Sequence, residues 1–100
     1  MQGKTQAVLR HNSELLTLSS DEVELILSGC QSDQEQVSDM LAVLYRHLAP
    51  KVGAEPSAIS HWLRTRNRHL DARPLDLLGN IEGFRQTMKY LGAIDSSQIS

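Results

Sequence analysis

Val37, Met40, Leu41, Leu44 and Leu48 stand at offsets of 0, 3, 4, 7 and 11. That spacing draws one continuous apolar stripe along a helix of 3.6 residues per turn. A stripe of this length must bury itself against other elements, so it sets the frame for the rest of the chain. Ser32-Asp33-Gln34-Glu35 precedes it and has the form of a capping box, with Ser32 closing the first turn and Glu35 reaching back. Pro50 is expected to stop this helix, because the residue before a proline avoids the helical region.

The flanking segments read as further helices. Ser19-Ser20-Asp21-Glu22 is a second capping box, leading into Val23, Ile26 and Leu27 on one face, and Gly29 is expected to end that helix. Residues 13–19 carry no decisive period. Glu55 and Pro56 open another helix, on which Ile59, Trp62 and Leu63 share a face at i, i+3 and i+4. The polar run from Thr65 to His69 should be a loop, with Leu70 turning back into the core. Pro74 starts a short helix that Gly79 ends. Asn80 is the candidate N-cap of a last helix that points Ile81, Phe84, Met88 and Leu91 inward and stops at Gly92. No alternating run of β-branched residues supports a strand. The chain therefore reads as all-α, a small single-domain bundle of about five short helices, with a frayed polar tail after Gly92.

Several classes of function find no support. No apolar run approaches the ~20 residues that span a bilayer. The opening MQGKTQAVLRHNSELL has no continuous apolar core of the secretory kind. Cys30 is the only cysteine, so no internal disulfide forms; a reducing cytoplasm is the expected setting. His11, His47, His61 and His69 lack metal-ligand spacing, and the glycines stand singly rather than in a phosphate loop. No nucleophile elbow or paired acid and base appears. Neither an enzyme nor a bound cofactor or metal is expected.

Net charge is −2, but it is unevenly spread. Residues 11–40 hold Glu14, Asp21, Glu22, Glu24, Asp33, Glu35 and Asp39 and no Lys or Arg, whereas Arg64, Arg66, Arg68 and Arg73 cluster later in the chain. Such a split steers association with a partner of complementary charge. Residues 19–48 also have the outline of a helix-turn-helix, but their acidic character would set like charges against DNA.

The landmarks from Val52 to Leu91 also have a collective order. Val52-Gly53, Ala58, Trp62-Leu63, Asn67, Leu70, Pro74, Leu77, Glu82-Gly83, Leu91 and Ile94 follow one another at set intervals. In this order and spacing the chain resembles the toxin-binding domain of MbcA/ParS/Xre-type antitoxins, over roughly residues 33–94. One departure is Asp71-Ala72-Arg73, where the family usually has Gly between the Leu and Pro landmarks.

That resemblance implies an inhibitor of another protein, commonly a RES-fold toxin that consumes NAD, blocked by direct complex formation at its active-site cleft. On this reading residues 32–100 form the toxin-binding domain with a flexible C-terminal tail. Residues 1–31 form an N-terminal helical segment, a vestigial helix-turn-helix or a dimerisation element. Arg64, Asn67, Arg73, Lys89, Leu91 and Ile94 are the expected toxin contacts, and Trp62, Leu63, Leu70, Pro74 and Gly83 the architectural part of the motif. The expected partners are a cognate toxin and, in a homo-oligomer, further copies of the chain, with weak or absent DNA binding by the chain alone and no membrane. The rival readings are a DNA-binding regulator and a helical adaptor without enzymatic activity.

Overall fold

The computed structural model describes residues 2–94, with side chains from Lys4 onward. Six helices follow in order: α1 Gln2–Leu15, α2 Ser20–Cys30, α3 Gln34–Val52, α4 Pro56–Arg64, α5 Pro74–Leu77 and α6 Ile81–Ala93. The fold is all-α, and the count exceeds the sequence expectation by α1.

The predicted stripe is the floor of the core. Val37, Leu41, Leu44 and Leu48 of α3 are fully buried, as are Ile59, Leu63 and Leu91 of the later helices and Leu78 just after α5, all in the same core cluster. Leu9, Leu16, Leu18, Ile26 and Cys30 belong to the same cluster, so both N-terminal helices share this core with the rest of the chain. α1 packs chiefly on α3. Its buried face includes polar Asn12 and Ser13, which makes the period faint in the sequence. Both are satisfied: Asn12 Nδ2 donates to the Ser38 carbonyl at 2.9 Å and to its hydroxyl at 3.0 Å, and Ser13 Oγ donates to the Leu9 carbonyl at 2.7 Å.

Four expected boundaries move. α3 starts one residue later than its capping box suggests, because the Asp33 side chain, not Ser32, accepts from the Gln36 N–H at 2.8 Å. Pro50 does not stop α3. It is exposed and within a turn of the helix end, so it forfeits a single backbone bond, and Gly53 at φ 96° terminates the helix. Gly29 lies inside α2, which ends at Gln31 in the left-handed conformation, φ 53°. Gly92 lies inside α6, which ends at Ala93. The Asn80 cap is as read: its Oδ1 accepts from the Gly83 N–H at 2.7 Å. Of the expected frayed tail after Gly92, Ala93 is still helical and Ile94 is half-buried against the core; residues 95–100 lie outside the described residues.

Candidate functional site

Between α4 and α5 the chain does not run as an open loop. Asn67 is 2% exposed, and its Oδ1 accepts from the N–H groups of His69 at 2.8 Å and Leu70 at 3.0 Å. Its backbone N–H bonds the Ala72 carbonyl at 2.9 Å, and its carbonyl accepts from Asp71 at 2.8 Å. Asp71 turns the chain at φ 57°. Leu70 plugs this knot into the core. The result is a tight knob with Arg66, Arg68 and His69 on its exposed side. Arg66 forms an ion pair with Asp71 across it.

One contact fixes where the knob sits. The His69 ring stacks on Tyr90 of the last turn of α6, centroids 5.7 Å apart and planes at 28°. The basic loop and the C-terminal end of α6 therefore lie side by side. Lys89 is exposed on that turn, while Ile94, just past it, is half-buried against the core.

The six expected contact residues divide. Lys89 is open to solvent and Ile94 partly so, both at the end of α6. Arg73 is exposed but stands elsewhere, beside Asp76, with Nε donating at 3.0 Å and Nη2 at 2.8 Å. That contact holds the Asp76 carboxylate below its usual range. Arg73 lines an open groove of about 500 Å³ between α2 and α5, together with Leu25 and Leu75. Leu25, 67% exposed, escaped notice in the sequence because it lies off the apolar face of α2.

The other three are bound up in the fold: Leu91 and Asn67 are buried, and Arg64, about one-third exposed, is held by hydrogen bonds. Leu91 is fully buried, on the inward face of α6 where the helical spacing places it, rather than open at the helix end. Asn67 is consumed in shaping the loop. Arg64 ties the protein to itself: Nη1 donates to Thr17 Oγ at 3.0 Å and Ser60 Oγ at 2.9 Å, and Nη2 donates to the Thr17 carbonyl at 2.9 Å and Glu22 Oε1 at 2.8 Å. The same Glu22 oxygen caps α2 through the Ser19 N–H at 2.8 Å. One guanidinium thus joins the end of α4 to the α1–α2 turn.

The architectural residues are all in the interior. Trp62, Leu63, Leu70, Pro74 and Gly83 are buried. A Cβ on Gly83 would lie 2.2 Å from the Leu77 carbonyl oxygen, so only glycine lets α6 approach α5 this closely. Among the described residues no group of three His, Cys, Asp or Glu is placed to hold a metal ion, and no helix is long and apolar enough to cross a membrane.

What these elements define is a small all-α module with a tightly hydrogen-bonded basic knob beside a helix end. The comparison with known families places it further. The model of the antitoxin Xre/MbcA/ParS C-terminal toxin-binding domain matches residues 47–96, which is half of the chain, and the chain belongs to that family. The match spans the last turn of α3, helices α4 to α6 and the knob between them. No curated protein matches the chain.

Proposed function

We propose that this chain is the antitoxin of a type II toxin–antitoxin system and neutralises a RES-fold, NAD-consuming toxin by covering its active-site cleft. The observation that carries the reading is the match to a toxin-binding domain over residues 47–96, within which the basic knob and the end of α6 adjoin. In this proposal the chain acts stoichiometrically in the cytoplasm and catalyses nothing. Arg66, Arg68 and Lys89 supply charge that steers the encounter, the exposed part of Ile94 supplies apolar contact, and the largely polar residues after it reach the cleft. Arg73 makes a peripheral contact. Leu91 and Asn67 hold the surface in shape, and Arg64 holds α4 in place.

The DNA-binding alternative gains no support from the fold. The start of α3, which would have to enter the groove, exposes Asp33, Glu35 and Asp39. Weak, salt-sensitive DNA binding by the chain alone is the expected outcome of a gel shift.

Truncation after Ile94 tests the proposal. It removes residues 95–100 and keeps Ile94 on the core, so helix content and melting should match the parent. Co-expressed with the toxin, the shortened chain should protect growth and NAD level far less well. Full protection by the truncated chain would remove the tail from the mechanism and leave the knob to act alone.

A further inference from the structure

α3 and α6 leave an open apolar groove between them, about 410 Å³ in volume. Met40 and Val43 line it from α3, and Ile81 and Met88 from α6, all four only half-buried. Its two rims carry opposite charge. Asp39 stands exposed on the α3 side and Arg85, with 73% of its side chain exposed, on the α6 side. Asp39 makes no ion pair among the described residues. Arg85 has only a loose contact to Glu82 at 3.8 Å, both side chains well exposed. The unbranched methionines suit a surface that must adapt to another one.

From this juxtaposition we infer that the α3–α6 groove is the seat of a symmetric dimer, its occupant the same groove of a second copy of the chain. An isologous interface must be complementary to itself. A two-fold axis running along the groove lays the α3 of one copy over the α6 of the other. Asp39 then meets Arg85 of the second copy, and Arg85 meets its Asp39, while the four apolar side chains close on their counterparts. A two-fold axis running across the groove would instead set Asp39 against Asp39 and Arg85 against Arg85. The charges therefore select the first arrangement and oppose the second. The surface is distinct from the knob formed by residues 65–72, so the inference stands whether or not the knob and tail reach a toxin.

The test is sedimentation of the full chain without toxin, from low micromolar to near-millimolar concentration, the range in which a modest interface associates. The parent should pass from monomer to dimer. Asp39→Arg and Arg85→Glu each replace two attractions by two repulsions and should weaken the dimer about tenfold. The double variant Asp39→Arg/Arg85→Glu should recover most of that loss. Met88→Glu should abolish association, with circular dichroism checking that its helices persist. A parent that stays monomeric throughout overturns the inference. So does a dimer indifferent to all of these changes, or single reversals that the double variant fails to rescue.

Discussion

A Cβ added to Gly29 would lie 1.5 Å from the carbonyl oxygen of Gly79, so α2 and the turn after α5 meet backbone to backbone. No side chain fits between them. Nearby, the Cys30 thiol lies 3.5 Å from the Leu78 carbonyl, and burial pushes its pKa up. Gly29→Ala should therefore destabilise the fold. Overpacking against backbone costs about 3 kcal/mol, the upper end of its usual range. Alanine returns roughly 1 kcal/mol by its better helix propensity. The net loss of ~2 kcal/mol should lower the melting temperature by roughly 10 °C in a domain this small. A variant that melts with the parent would mean that the two backbones separate freely.

Arg64 should behave as a structural residue. Its guanidinium is bonded to Thr17, Ser60 and Glu22 and is about one-third exposed, so its bonds are partly screened. Arg64→Ala should cost about 1–3 kcal/mol in urea unfolding. Arg64→Lys should recover less than half of that, because a single ammonium cannot reach the α1–α2 turn, α2 and α4 together. If Arg64→Ala unfolds like the parent but loses a partner, the side chain belongs to the binding surface instead.

Trp62 offers a finer test of the core. The ring is 2% exposed, and its Nε1 is buried with no hydrogen-bond partner. Trp62→Ala should cost about 3–5 kcal/mol, as buried aromatic truncations do. Trp62→Phe should cost only ~1 kcal/mol, since it removes an unsatisfied N–H along with the lost ring volume. Equal losses in chemical denaturation would show that the indole N–H contributes a bond of its own.

The Arg73–Asp76 pair has a defined acid dependence. The hydrogen bond from Arg73 depresses the Asp76 pKa in the folded protein. A depressed carboxylate contributes stability that is present in full above its unfolded pKa of about 4, and that stability is lost as pH falls through the folded value. Both side chains are about half exposed, so the contribution is small. Melting temperatures of the parent and Asp76→Asn should differ slightly at neutral pH and converge in acid below the folded value. A difference that grows in acid would contradict this sign.

The helices that carry uninterrupted apolar stripes were legible in the sequence, and those that mix polar groups into the core were not. Val37 to Leu48 announce α3, and Asn80 announces the start of α6. α1 stays hidden because Asn12 and Ser13 sit on its buried face; the partner of Asn12 is Ser38 of α3, 26 positions away, and Ser13 is satisfied by the Leu9 carbonyl one turn back, which leaves no apolar signal. Gly29 reads as a stop because a glycine that ends a helix and one that admits a neighbouring backbone look alike. The site was less legible for the same reason. Asn67 belongs to a polar loop by position, yet its bonds to the His69 and Leu70 N–H groups hold it in the interior, and Leu91 keeps the inward place its helical spacing gives it rather than the open one its position near the helix end suggests. The stacking of His69 on Tyr90 joins residues 21 positions apart and leaves no local signal.

As a proposed antitoxin, this chain captures a toxin and silences it. The most direct measurement is co-expression of the full chain with a RES-fold toxin encoded by the adjoining gene, following growth and cellular NAD and isolating the two proteins together. Restored growth, preserved NAD and a stable co-purified complex are the predicted result. Continued NAD loss with no complex between two folded proteins would contradict it.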